Sequence, residues 1–264
     1  MVAVSVVIPA KNEQDNIEEL VREIHTALEK RFEYEIIYIN DGSTDNTLMV
    51  IQDLQTTYPG LKVWSHSQSA GQSRAVFHGV HLSENPIIAT LDADGQNDPA
   101  DIPAMIDILV QSHETPNQEE LKEHIGSLFQ KAGGTVMVAG HRKKRHDSWL
   151  KRVSSKLANG FRSRILKDKT PDTGCGLKVF YRDTFLRLPY FDHMHRYLPA
   201  LVQRFGYHVT NYEVHHRPRH AGTSKYGFHN RLWVGIVDIF GVMWLQRRCK
   251  PTQLLHPTSK EKMS

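Results

Sequence analysis

The sequence lacks the features that would place it in several common classes. It has 264 residues and only two cysteines, Cys175 and Cys249. Two thiols cannot build a disulfide framework or a cysteine-rich zinc site. No signal-peptide pattern occupies Met1–Lys11, so a reducing cytoplasmic interior is the expected compartment. No apolar run reaches the roughly 18–20 residues that cross a bilayer. The nearest, Leu232–Leu245, has 14 residues and is interrupted by Asp238. The first apolar run is not followed by G-x-G-x-x-G, and there is no Walker A sequence. Both absences weigh against a dinucleotide fold and a P-loop.

What remains suffices for a packed core. Hydrophobic residues make up 39% and charged residues 23%, which excludes a disordered or fibrous chain. The net charge of +4 conceals a split. Residues 1–140 carry 21 acidic and 8 basic side chains, net −13, and residues 141–264 carry 8 acidic and 25 basic, net +17. A basic half of that size is expected to meet phosphates, nucleic acid or a membrane surface.

Strand and helix patterns alternate along the first 110 residues. Val2–Ile8, Glu35–Ile39, Leu61–Trp64 and Pro86–Leu91 read as buried strands, the first ended by Pro9. Glu13–Lys30 places Ile17, Leu20, Val21, Ile24 and Leu28 at helical spacing. Ser43 or Thr44 is the expected cap of a second helix carrying Leu48, Val50, Ile51 and Leu54. Gly71–Leu82 and Asp101–Val110 read as two more. Such alternation predicts an α/β fold with a mostly parallel sheet. An amphipathic helix is expected within 113–134, then a strand at Thr135–Ala139, and a polar tail after Pro251.

Ligands of open parallel sheets bind beyond the carboxyl ends of the strands. Three polar clusters fall there: Pro9–Glu13, Asn40–Asp45 and Asp92–Gln96. Asp92 and Asp94 flank a single residue, a spacing that can bring two carboxylates toward one Mg²⁺ or Mn²⁺, with substrate phosphates completing the shell. An acidic turn before a helix would give the same pattern, since Asp98 and Pro99 follow. Cations are concentrated later. Arg142–Lys169 holds 11 Lys or Arg against two Asp, and Arg217 and Arg219 precede Gly222-Thr223-Ser224-Lys225, a loop able to close over phosphates. A solvated basic face is the plain alternative. Nucleic-acid binding is less suited, because aromatics are sparse in the run and no nucleic-acid motif accompanies it. Cys175 reads as a small residue in a Gly-rich turn, and the 16 histidines as mostly surface or loop residues.

Taken in order, the motifs resemble a known family. They are Val6-Val7-Ile8-Pro9 with Asn12-Glu13, Asp41-Gly42-Ser43-Thr44-Asp45, Gly71-Gln72 with Ala75 and Gly79, and Leu91-Asp92-Ala93-Asp94-Gly95-Gln96 with Pro99. Gly140-His141-Arg142, Arg152 with Ser155-Lys156, Asp172 with Gly174-Cys175-Gly176, and Arg219 with Gly222–Tyr226 follow. The chain is similar to family 2 glycosyltransferases of GT-A fold. Within that family it resembles the polyprenyl-phosphate group that includes dolichyl-phosphate mannose synthases.

The resemblance implies inverting, metal-dependent transfer of a sugar from a UDP-sugar or GDP-mannose to a polyprenyl phosphate. A saccharide acceptor in cell-envelope polysaccharide synthesis is the alternative within the fold. It implies that Pro9, Glu13, Asp41 and Asp92 bind nucleotide, and that Asp92, Asp94 and Gln96 surround Mg²⁺ or Mn²⁺. Arg142, Arg152, Arg219 and Lys225 are implied to hold donor and acceptor phosphates, with Asp94, Arg142, Arg152 and Lys225 closest to the reaction. Residues 1–228 form the implied catalytic domain: a nucleotide-sugar half (1–112), an inserted helix (113–134) and an acceptor half (135–228). An interfacial helix (229–250) and a tail (251–264) follow. Asn40 and Arg74 depart from the usual pattern, and both departures bear on donor preference. A phosphate monoester, with a second pKa of about 6, needs no strong base. Expected partners are the nucleotide sugar, the lipid phosphate and the inner face of the membrane, with no nucleic acid. A membrane-protein partner or a homo-oligomer is left open. Leu232–Leu245, flanked by Arg231, Arg247, Arg248 and Lys250, is expected to lie in the interface, or else to be a core helix.

Overall fold

The computed structural model describes residues 1–111, 134–142, 160, 162–168, 170–218 and 228–248. Its strands are β1 (Val2–Ala10), β2 (Phe32–Asn40), β3 (Leu61–Ser65), β4 (Ile87–Thr90), β5 (Thr135–His141), β6 (Lys178–Tyr181) and β7 (His208–Glu213). Its helices are α1 (Ile17–Leu28), α2 (Thr47–Leu54), α3 (Gln72–Leu82), α4 (Ile102–Gln111), α5 (Arg182–Leu186), α6 (Leu198–Gln203) and α7 (Phe228–Arg248). The strands form one sheet in the order β3-β2-β1-β4-β6-β5-β7. Neighbours are parallel from β3 through β4, β6 runs antiparallel to both β4 and β5, and β7 is parallel to β5.

This single reversal positions the site. The carboxyl ends of β1, β2, β4 and β5 share one sheet edge, and β6 starts there. Residues just before β6 therefore meet residues just after β4 and β5. Val4, Val6, Val7 and Ile8 of β1 are fully buried, as expected for a central strand covered on both faces. α1 buries Ile17, Leu20, Val21, Ile24 and Leu28 against it, the stripe its spacing predicts.

Two local expectations are corrected. β1 does not stop at Pro9 but pairs with β2 through Ala10. Its pairing with β4 ends at Val7↔Thr90, so a proline beyond that point leaves no ladder on that side short of a donor. Neither Ser43 nor Thr44 caps α2. The cap position is Asn46, and Asp45 Oδ1 accepts from the Thr47 N–H at 3.0 Å and its hydroxyl at 2.6 Å. Ser43 and Thr44 instead bind the turn after β1. Ser43 Oγ accepts from Asn12 N at 2.9 Å, and Thr44 N donates to Asn12 Oδ1 at 2.7 Å. Side chains that could cap a helix are drawn to orphan amides of a neighbouring loop.

The inserted helix expected within 113–134 lies outside the described residues, apart from Gly134, as does the tail. No described helix is long and apolar enough to cross a membrane. α7 packs one side on the domain. Ile239 and Val242 are buried, Tyr197 Oη donates to Gly235 O at 3.2 Å, and Asp238 pairs with His193 at 3.1 Å. Its other side exposes Val237 (68%), Phe240 (50%) and Trp244 (57%). The buried face matches the core-helix alternative for this segment, and the other face is exposed.

Candidate active site

Asp92 and Asp94 follow β4 at the shared edge. Asp92 is part-buried and accepts from Gln72 Nε2, at the start of α3, at 2.8 Å. Its carboxyl pKa is pushed up to about 6, first by burial and then by the charge of Asp94, against the opposing pull of Lys178 and Arg142. Asp94 Oδ1 accepts from Gln96 N at 3.1 Å, which closes the turn, and Gly95 has the positive φ (70°) that the turn needs. Gln96 in turn is held through its carbonyl by Arg217 N at 2.8 Å.

Asp41, after β2, is spent differently. Its Oδ1 accepts from Ala70 N (2.7 Å) and lies 2.7 Å from His66 Nδ1; its Oδ2 accepts from Ser69 Oγ (2.8 Å) and Gly71 N (3.0 Å). Burial raises this carboxyl's pKa, but the four donors outweigh it and the net shift is downward. Asp41 therefore pins the 66–71 loop at the entrance to α3. Gly42 permits the contact: its φ is +63°, and a Cβ there would stand 2.7 Å from Ser69 N. Asn40 is also engaged, donating to Ser65 Oγ at 3.1 Å and accepting from Ser43 N at 3.2 Å. Pro9 lines the cleft beside Asp92, and Glu13 accepts from Asn16 Nδ2 at 2.8 Å.

The basic half divides into structural and available cations. Arg142, just after β5, forks onto Asp172 with Nε–Oδ2 2.7 Å and Nη2–Oδ1 2.9 Å. The pair is largely buried, and Arg142 also acts on Asp92 through its charge. Arg162, expected in a basic face, is buried and holds the turn that follows it, donating to Thr170 O at 2.7 Å and pairing with Asp168 at 3.2 Å. Arg217, expected in a phosphate-closing loop, forks onto Glu23 of α1 at 2.6 and 2.9 Å. A buried guanidinium needs its fork filled, and a carboxylate or carbonyl nearby captures it. Arg152, Arg219 and Lys225 lie outside the described residues.

Two site residues escaped the sequence reading. Lys178 opens β6, is buried, and donates to Cys175 O; burial lowers its pKa. His195 sits just before α6, with its Nδ1 2.7 Å from Ser73 Oγ. Both line a cleft open to solvent, together with Asp92, Gln72 and Gly176. The only available signal for Lys178 was its place two residues after a Gly-Cys-Gly turn. His195 had none, because its neighbours in space are more than a hundred residues away. The histidines are also less peripheral than expected. His66 bridges Asp41 and His78, the latter at 2.9 Å. Cys175 is buried in its turn, with Asn97 Nδ2 3.6 Å from Sγ.

Among the described residues no three His, Cys, Asp or Glu side chains form a metal site by themselves. The acidic pair nevertheless suits a divalent cation. One carboxylate already feels the other's charge, and carboxylate oxygens are the hard donors that such a cation takes.

A seven-stranded sheet with one reversed strand, an acidic pair after β4 and cations converging on it define a nucleotide-sugar type of α/β fold. The model of the family described as glycosyl transferase family 2 matches residues 5–188, and the chain belongs to that family. It is accordingly a glycosyltransferase enzyme of GT-A architecture. Solved structures share the fold at low identity. Glucosyl-3-phosphoglycerate synthase from Mycobacterium tuberculosis with UDP is 17% identical, with a TM-score of 0.61 over 95% of this chain and 82% of that one. The same enzyme with Mn²⁺, UDP and glucosyl-3-phosphoglycerate is 18% identical, with a TM-score of 0.63 over 92% and 79%. A mannosyltransferase from Pyrobaculum calidifontis with GDP-Man and Mn²⁺ is 18% identical, with a TM-score of 0.58 over 94% and 65%.

Proposed function

We propose that the chain transfers a sugar from a nucleotide-sugar donor to a polyprenyl phosphate at a membrane surface, with Mg²⁺ or Mn²⁺ bound at Asp92 and Asp94. The observation that carries the donor half is the strained acidic pair at the carboxyl edge, with Asp92 pushed up to about 6. Asp92, Asp94 and Gln96 would hold the metal, which supplies charge neutralisation for the leaving diphosphate. Arg142, and the sequence-assigned Arg152, Arg219 and Lys225, would serve the phosphates of donor and acceptor. Pro9 and Glu13 would line the nucleoside pocket. Asp41 would shape it through the 66–71 loop, because its own oxygens are already taken. Mn²⁺ with UDP or GDP-Man in the fold neighbours agrees with this reading.

Two observations favour a lipid phosphate as acceptor. Among the described residues lining the cleft, Asp92 is the sole carboxylate, and it faces the metal role; an acceptor that arrives ionised needs no base. α7 exposes Val237, Phe240 and Trp244 along one side, followed by Arg247 and Arg248, an arrangement that suits the headgroup boundary at the inner face of a membrane. The glucosyl-3-phosphoglycerate synthase neighbours, solved with phosphoglyceric acid or glycerol 3-phosphate, make a small soluble phosphate the competing acceptor.

The test is nucleotide release from UDP-glucose and GDP-mannose with Mn²⁺, using short-chain polyprenyl phosphate, 3-phosphoglycerate and a soluble glycan as parallel acceptors. Stimulation by the lipid phosphate supports the proposal. Stimulation by phosphoglycerate or glycan alone overturns its acceptor half.

A further inference from the structure

The cleft beside Asp92 contains a polar side chain that the transfer reaction described above leaves unused. His195 shares the cleft with Asp92, Gln72 and Lys178. Its ring is held by Ser73 of α3. The Ser73 hydroxyl oxygen lies 3.2 Å from the His195 backbone N and 2.7 Å from its Nδ1. A backbone N–H can only donate, so the oxygen accepts there, and its remaining hydrogen-bonding capacity engages Nδ1. Burial, reinforced by Arg196, Lys178 and His193, holds the imidazole pKa well below its ordinary value. With Nδ1 engaged by Ser73, Nε2 is the ring's remaining hydrogen-bonding atom. Among the described residues Nε2 has no partner.

The cleft's chemistry suggests what Nε2 meets. Asp92 accepts, Lys178 donates, His195 Nε2 does one or the other according to its tautomer, and Val76 and Leu198 add apolar lining. Hydroxyls, which both give and take hydrogen bonds, match such a mixed set. The C–H face of a pyranose matches the apolar wall. Ser73 and His195 come from α3 and from the segment before α6, so ring placement depends on the folded domain rather than on a flexible loop.

We infer that His195 is a substrate-contacting residue that hydrogen-bonds through Nε2 to a hydroxyl of the transferred sugar, with Ser73 as its positioning residue. The inference rests on the donor half of the proposed function and is independent of the acceptor half. It predicts a contribution to recognising the sugar and none to recognising the nucleotide.

The test is calorimetric titration with Mn²⁺ present, comparing UDP-glucose with UDP and GDP-mannose with GDP. It uses wild type, His195→Phe, His195→Gln and Ser73→Ala. In wild type one sugar nucleotide binds more tightly than its parent nucleotide. His195→Phe should lose about three- to tenfold of that preference, the worth of one neutral hydrogen bond, with affinity for the bare nucleotide unchanged. His195→Gln, whose amide N–H reaches a comparable position, should retain more of it than Phe. Ser73→Ala should reduce the preference without touching nucleotide affinity, a split that a general loss of packing would not produce. Equal losses for sugar nucleotide and nucleotide would overturn the inference, as would an unchanged preference in His195→Phe or no preference in wild type. Failure to bind any nucleotide would overturn the donor reading together with it. No acceptor is present, so failure of the lipid-phosphate reading leaves these ratios unaffected and is distinguishable.

Discussion

A Cβ on Gly176 would stand 2.2 Å from Asp92 Oδ2 and 2.5 Å from Oδ1. The backbone entering β6 is thus the wall against which the first carboxylate of the acidic pair rests. Lys178 secures that wall by donating to Cys175 O, and Thr90 Oγ1 donates to Gly176 O at 2.8 Å.

Gly176→Ala is therefore expected to displace the Asp92 carboxylate and to lower metal-dependent nucleotide affinity by at least about tenfold, or about 1.4 kcal/mol. The strand itself should survive. Titration with UDP or GDP and Mn²⁺, beside a thermal melt, checks both statements. Wild-type affinity in the variant would mean that the carboxylate position is immaterial to binding.

The raised pKa of Asp92 sets a pH dependence. A metal needs the carboxylate ionised, so metal–nucleotide affinity should rise with pH through an inflection at about 6. Asp94→Asn removes the second cause of the shift and should move the Asp92 titration of the metal-free protein to lower pH. For stability the sign is opposite. An acid whose folded pKa is raised is penalised once ionised, so Asp92 withdraws stability from the metal-free protein as pH rises from about 4 through about 6. Melting curves without metal across that window read the effect.

Asp41→Ala removes the acceptor for four donors, two of them backbone amides of the 66–71 loop. Leaving buried donors unpaired should cost about 1–3 kcal/mol in denaturant unfolding at neutral pH. Its folded pKa is lowered, so wild type holds this stability above about 4 and loses it as pH falls through the folded value. The gap between variant and wild type should therefore close in acid.

Phe240→Ser with Trp244→Ser should reduce sedimentation with anionic liposomes several-fold while leaving nucleotide release from the donor intact. Both side chains are at least half exposed, so the melting temperature should scarcely move. Wild type remaining in the supernatant at low salt would remove α7 from any membrane role.

Much of residues 1–111 was legible because it obeys local rules. The strands are short, mostly apolar runs, α1 shows its stripe, and polar turns follow the strands at the edge they occupy. The Asp92–Asp94 pair could be read for the same reason, since the chemistry lies within three consecutive residues. The basic half was not legible. Arg142, Arg162 and Arg217 look like free cations in sequence, yet the tertiary fold pairs each with a carboxylate, and Arg217 finds Glu23 across 194 residues. The Ser43 and Thr44 expectation failed similarly, because a loop 31 residues away competed for their hydroxyls. His195 became a site residue only through Ser73, at a separation of 122 residues.

The central claim is that Asp92 and Asp94 bind the donor diphosphate through a divalent cation. The most direct measurement is UDP and GDP affinity with Mn²⁺ and with EDTA, in wild type and Asp94→Ala. The account predicts that Mn²⁺ strengthens wild-type binding of one nucleotide by about tenfold or more, and that Asp94→Ala abolishes this gain without altering the melting temperature of the free protein. Equal binding in EDTA, or an undiminished Mn²⁺ gain in Asp94→Ala, would contradict it.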